Sequence, residues 1–125
     1  MSPETIFRLC SALALVGWLL LLAGSPFFRE IDRFIIGVVI TMLCIVYTWL
    51  IATSFQPGDI SKFNSLDGVM ELFTSKTLVT GGWVHYLAID LLTGCWIKRN
   101  AIRHGIPHRT AIPCLLLTFM FGPAG

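Results

Sequence analysis

Phe34 to Ala52 form a run of 19 residues without a single charged side chain. A helix rises about 1.5 Å per residue, so such a run is about as long as the hydrocarbon core of a bilayer, which is roughly 30 Å thick. Of the 125 residues in the chain, 55% are hydrophobic and only 13% are charged. A soluble domain of this size carries about 25% charged residues. The sequence therefore predicts an integral membrane protein.

Three further segments are apolar: Leu9–Gly24, Leu78–Ile97 and Ala111–Gly125. The last is too short for a full span, and either it is re-entrant or the chain lacks a tail that would continue the helix. We favour the second interpretation because nothing polar closes the segment. We expect an all-α fold, in which residues 1–125 form one polytopic membrane bundle. Three full spans (about 9–24, 34–52 and 78–97) would be followed by a short or truncated fourth (about 111–125).

The linker between the second and third spans, residues 55–76, has an amphipathic pattern. Its apolar residues recur at three- and four-residue steps, at Ile60, Phe63, Leu66, Val69, Met70 and Phe73. This spacing is typical of a helix that buries one face. We expect a helix over about residues 60–75 that lies on the membrane surface or covers the mouth of the bundle.

The distribution of Lys and Arg predicts the orientation. With three full spans, one side of the membrane would hold Arg29, Arg33, Lys98, Arg99, Arg103 and Arg109, and the other side Arg8, Lys62 and Lys76. The more basic loops usually face the cytoplasm or its organellar equivalent, which places the N-terminus outside. The first apolar segment also resembles a signal peptide, but Glu4 offsets Arg8 and no small-residue cleavage site follows, so an uncleaved span is favoured.

Two ionisable side chains, His85 and Asp90, lie inside the third apolar segment. A charge near the middle of a span is unfavourable by about 2.5–3.5 kcal/mol on insertion scales, so both need a partner, a wet cavity or a function. At 100° per residue, Tyr86 and Asp90 share a face, whereas His85 and Asp90 diverge by about 140°. His85 and Asp90 would therefore not form a pair on one face, although both could border one cavity from its two sides. We expect the stripe of Trp83, Tyr86, Asp90 and Gly94 to face the bundle, with Gly94 allowing close helix approach.

The residues leave two interpretations of this pair open. Asp90 is either a carboxyl held by hydrogen bonds for packing or a functional acid, base or ligand, and His85 either belongs to a polar network or acts as a base. Glu71 would reach the outer end of the third span if the linker helix folds back over it.

Other chemistry finds little support in the sequence. His104 and His108 form an HxxxH, but Gly105 and Pro107 interrupt the helix that would align the rings, so they are weak candidates for a metal site and more typical of interfacial histidines. The four cysteines form no CxxC pair, so neither a zinc site nor a redox pair is indicated. No phosphate-binding loop is present, no cofactor is expected, and the small net charge of +2 does not indicate nucleic acid binding.

Several short motifs resemble the abscisic-acid-deficient-four family of small membrane proteins linked to neoxanthin formation. They are SLDGVMELF at 65–73, WVHYLAIDL at 83–91, GIPH at 105–108, PCLLLTF at 113–119 and FGPAG at 121–125. Together they cover about half the chain, in family order. The resemblance implies a four-span helical bundle, of which this chain ends at the FGPAG element.

The resemblance also implies a chemistry. Neoxanthin forms from violaxanthin by isomerisation, in which an epoxide opens and a proton leaves the polyene, so an acid and a base suffice and no redox cofactor is needed. Asp90 would be the acid and His85 the base, with Glu71 and Tyr86 in support. A non-catalytic membrane subunit or a pigment- or lipid-binding protein is the competing hypothesis.

The expected partners follow from the same resemblance. They are membrane lipids and a lipophilic substrate such as a carotenoid, with a homo-oligomer or a larger membrane partner left open and no nucleic acid. The membrane would be a bacterial inner membrane or an organellar, thylakoid-type membrane.

Overall fold

The computed structural model describes all residues from Met1 to Gly125, and every regular element is helical, so the expected all-α class is confirmed. The α-helices are α1 (Pro3–Leu19), α2 (Ile31–Phe34), α3 (Thr41–Ser54), α4 (Leu66–Leu72), α5 (Lys76–Arg103) and α6 (His108–Phe121). Two π-helical stretches (Leu20–Gly24 and Ile35–Ile40) and two 3-10 segments (Pro57–Asn64 and Gly122–Ala124) complete the chain. The π-helical stretches extend α1 to Gly24 and join α2 to α3.

Two helices are long and apolar enough to cross a membrane, namely Pro3–Gly24 and Ile31–Ser54. Helix α5 has 28 residues and therefore sufficient length, but the polar residues along it, His85 and Asp90 among them, lower its mean hydropathy. Helix α6 has only 14 residues. The expected count of three full spans and a short fourth is therefore not confirmed, and residues 78–97 and 111–125 remain predicted spans.

The expected single helix over residues 60–75 is wrong. The linker forms the 3-10 segment Pro57–Asn64 and then the separate helix α4. Ser65 divides them, because its backbone is extended and its hydroxyl accepts a hydrogen bond from the Gly68 N–H at 3.1 Å. Serine favours this capping role over a helix interior. A Cβ at Gly68 would lie 2.3 Å from the Lys62 carbonyl oxygen, so only glycine permits the two pieces to fold together this closely.

Helix α5 is the central element, and α1, α3 and α6 all pack against it. Two glycines bring α1 and α5 together. A Cβ at Gly94 would lie 2.7 Å from the Trp18 ring, and a Cβ at Gly17 would lie 2.6 Å from the Leu91 side chain. The close approach expected at Gly94 is thus confirmed. Trp83 adds a polar contact to the same interface, since its Nε1 donates to Ser11 Oγ at 3.0 Å.

A buried ion cluster joins helix α2 and the turn before it to the last third of α5. The Lys98 ammonium donates to Asp32 Oδ1 at 2.8 Å, and Arg99 Nε donates to the other carboxylate oxygen. Lys98 also donates to the Arg29 carbonyl oxygen at 2.6 Å. Asp32 and Lys98 are both buried, and a buried charge of this kind persists only when it is paired and hydrogen-bonded.

Candidate functional site

His85 lies on the side of α5 that faces α3. Its ring is 5.2 Å from the ring of Tyr47, measured between centroids, with the planes tilted by 44°. The imidazole borders a cavity of about 180 Å³ that is formed by α3, α5 and the linker. Seven of its nine lining residues are hydrophobic, and the full set is Tyr47, Ile51, Phe55, Phe63, Leu72, Phe73, Leu78, Gly82 and His85. An imidazole and a phenol therefore stand side by side at the wall of an apolar, aromatic cavity.

A polar clip holds the linker over this cavity. Asp59 accepts from the Gln56 N–H at 2.9 Å and pairs with Lys62 at 3.0 Å. Lys62 in turn pairs with Glu71 at 3.0 Å. The Gln56 N–H and the Lys62 ammonium lower the pKa of Asp59, while the Asp59 and Glu71 carboxylates raise the pKa of Lys62. Glu71 is exposed and does not line the cavity, so the structure places it in this clip.

Asp90 lies elsewhere, against the turn that follows α6. It is buried, and its Oδ2 has no hydrogen-bond partner. Gly122 leaves the space that the carboxylate occupies, since a Cβ there would lie 3.1 Å from Asp90 Oδ1. Tyr86, one turn earlier on the same face, is half-buried and packs on Trp83 with ring centroids 5.6 Å apart.

The structure does not bring His85 and Asp90 to one cavity. His85 borders the space beside Tyr47, whereas Asp90 is absent from that lining and faces Gly122. This agrees with the divergence of about 140° expected from helix geometry. A small ring bound in the aromatic cavity would contact His85 and would not contact Asp90.

A model of the ABA DEFICIENT 4-like family matches residues 5–125 of this chain, which is nearly its whole length. The chain belongs to the ABA DEFICIENT 4-like family. No curated protein and no solved structure matches it. Membership relates the chain to the neoxanthin-synthase type, and together with the two long apolar helices it indicates a membrane protein.

The two weak metal candidates of this ABA DEFICIENT 4-like protein are held by separate carbonyl groups. His104 Nδ1 lies 2.9 Å from the Asn100 carbonyl oxygen, and His108 Nε2 lies 2.9 Å from the Leu22 carbonyl oxygen. The second contact joins the start of α6 to the π-helical end of α1. No group of three or more His, Cys, Asp or Glu side chains comes together to hold a metal ion.

Sequence reasoning missed one residue of the candidate site in this family member. Tyr47 reads in the sequence only as an aromatic residue that anchors a span at an interface. Its proximity to His85 depends on how α3 packs on α5, and no periodicity within one helix reports that packing. The sequence does show that Tyr47 lies in the second span, which precedes the span that carries His85. It also shows that its phenol could donate a proton.

Proposed function

We propose that this protein is a membrane isomerase that opens the epoxide of a carotenoid-class substrate by acid/base chemistry. Family membership supports the substrate class. The observation that carries the proposal is the pairing of His85 with Tyr47 at the wall of an apolar cavity. Imidazole and phenol groups are among the side chains that commonly transfer protons in enzymes.

The cavity suits one end ring of such a substrate. It is small, at about 180 Å³, and its wall is largely aromatic, which favours an apolar ring over a charged metabolite. It lies at the linker end of the bundle, where a ring bearing oxygen would meet the edge of the membrane. The long polyene would then leave the cavity along the exposed apolar sides of the helices.

The isomerisation balances without a cofactor. The carbon–oxygen bond of the epoxide beside the polyene breaks, and its oxygen takes a proton to become a hydroxyl. A proton leaves the neighbouring polyene carbon, and its electron pair forms the new double bond of the allene. In our proposal His85 takes the proton from carbon and Tyr47 gives a proton to oxygen.

Asp90 is the competing acid. Its Oδ2 is buried without a hydrogen-bond partner, Tyr86 lies one helical turn away, and a carboxyl group is a common proton donor in enzymes. Because Asp90 faces Gly122 rather than the aromatic cavity, this version requires the substrate to bind on another side of α5. The clip through Glu71 supports either version only by holding the linker.

The test is conversion of a supplied carotenoid epoxide by the purified full chain in lipid. The variants are His85→Gln, Tyr47→Phe, Asp90→Asn and Tyr86→Phe, and His104→Gln is the matched histidine control. We expect His85→Gln and Tyr47→Phe each to lower the rate by about a hundredfold or more. His104→Gln should keep the wild-type rate, because His104 is exposed, does not line the cavity, and hydrogen-bonds to the Asn100 carbonyl of helix α5.

Two results would overturn the proposal. Loss of activity in Asp90→Asn and Tyr86→Phe, with full activity in Tyr47→Phe, would move the acid to the Gly122 side of α5. Binding of pigment without conversion in every variant, wild type included, would make the protein a carrier or subunit.

A further inference from the structure

A basic pocket opens at the end of the bundle away from the linker. Its cavity of about 220 Å³ is lined by Arg29, Glu30, Asp32, Arg33, Arg99, Ile102 and Arg103. A water molecule occupies about 30 Å³ in the liquid, so the space exceeds what a few waters need. The lining contains four guanidinium groups and only two carboxylates, so the pocket has an excess of positive charge.

The acids in the pocket are already engaged. Glu30 pairs with Arg33 at 2.7 Å. Asp32 is shared between Lys98 and Arg99. Neither acid is therefore free to neutralise the two remaining arginines.

Arg29 and Arg103 have no acidic partner in the structure, and they approach the pocket from different elements. Arg29 belongs to the turn after α1, and Arg103 is the last residue of α5. The Lys98 ammonium fixes the backbone at Arg29 through its carbonyl oxygen. Two guanidinium groups without counter-charges thus border one cavity, on a backbone held by a buried ion cluster.

We propose that this pocket binds a phosphate group, and that the phosphate is the headgroup of an anionic phospholipid. Guanidinium groups bind phosphate through paired, charge-assisted hydrogen bonds. Basic pockets between helices at the membrane surface are a common form of lipid headgroup site.

The surroundings favour a lipid over a free phosphate ion. Phe27 and Phe28 directly precede Arg29 and are 81% and 65% exposed, and Phe34 beyond the pocket is also exposed. Apolar side chains next to a basic pocket provide a surface for acyl chains beside a site for the headgroup.

The experiment measures the thermal stability of the full chain in detergent, with native mass spectrometry to count retained lipids. The probes are phosphatidylglycerol, phosphatidylcholine with the same acyl chains, and inorganic phosphate. The pocket variant is R29Q/R103Q, and the control with equal charge loss is R8Q/R109Q, whose two arginines lie outside the pocket and form no ion pair.

Phosphatidylglycerol should raise the unfolding temperature of the wild type and of R8Q/R109Q, and one molecule should stay bound. In R29Q/R103Q its apparent affinity should fall by about tenfold or more. Equal effects of phosphatidylglycerol and phosphatidylcholine would overturn the site, as would equal loss of affinity in both double variants. An equal shift with inorganic phosphate alone would overturn the assignment to a lipid.

Discussion

The carboxylate of Asp90 lies so near to Gly122 that a Cβ at position 122 would be 3.1 Å from Asp90 Oδ1. Asp90 lies in the middle of the central helix, and Gly122 ends α6 with a φ of +55°. The only buried side-chain oxygen or nitrogen without a hydrogen-bond partner is therefore enclosed by a backbone turn.

Gly122→Ala should destabilise the protein by about 2 kcal/mol or more, because the new Cβ meets Asp90 and because L side chains rarely adopt this backbone conformation. Gly105→Ala is the control, since Gly105 also has a positive φ, +65°, but has open space around it. Chemical unfolding in detergent gives both values. Part of the Gly122→Ala penalty should disappear in an Asp90→Ala background. An identical penalty in both backgrounds would mean that contact with the carboxylate contributes nothing.

Asp32 and Asp90, two of the three buried aspartates, should respond very differently to the same substitution. Asp32→Asn should destabilise the protein by about 3–5 kcal/mol, because it leaves Lys98 buried without its partner. Asp90→Asn should change the free energy of unfolding by less than about 1 kcal/mol, since Oδ2 has no hydrogen bond to lose. Both are measured by the same unfolding titration. Equal losses would show that Asp90 has a stabilising partner.

The clip over the aromatic cavity should depend on pH at both extremes. Because the pKa of Asp59 is lowered in the fold, its contribution is present above the ordinary aspartate value of about 3.9 and is lost as the pH falls through the lowered one. The pKa of Lys62 is raised, so its contribution is present below about 10.4 and is lost as the pH rises through the raised value.

The unfolding temperature, recorded against pH, checks both limits. Asp59→Asn should flatten the acid side of the profile, and Lys62→Met should flatten the alkaline side. Asp67→Asn serves as the control, because Asp67 is exposed and forms no ion pair. An unchanged acid limb in Asp59→Asn would contradict the role of the clip.

Gly94→Ala should destabilise the bundle by about 1–3 kcal/mol, because its Cβ would lie 2.7 Å from the Trp18 ring and force that ring to move. Gly37→Ala is the matched change in a helix with nothing within 4 Å, and it should be neutral or stabilising by up to about 1 kcal/mol. Tryptophan fluorescence, recorded in a background in which Trp49, Trp83 and Trp96 are replaced by Phe, reports the movement of Trp18. A Gly94→Ala protein as stable as Gly37→Ala would contradict the close packing of α1 on α5.

The features that could be predicted from the sequence are those set by the geometry of a single helix. Helix geometry correctly separated His85 from Asp90, and Gly94 was correctly expected to allow close approach. The prediction of a single helix in the linker was wrong. The apolar spacing over residues 60–75 matched one helix, but Ser65 begins a new helix there because its hydroxyl caps α4. Tyr47 was not predicted as a site residue, and Arg29 and Arg103 counted only toward the orientation, because their proximity to other groups depends on packing between elements distant in the chain.

The cluster around Asp32 has a consequence for the synthesis of the chain. The two basic partners of Asp32 are Lys98 and Arg99, which follow it by 66 and 67 residues. Burial of Asp32 without a cation is unfavourable. While only the first two apolar helices have been synthesised, Asp32 therefore has to remain hydrated at the membrane–water interface. Helix α2 can therefore bury Asp32 only after Lys98 has been synthesised. Assembly of the bundle is therefore completed late, after most of α5 has been made.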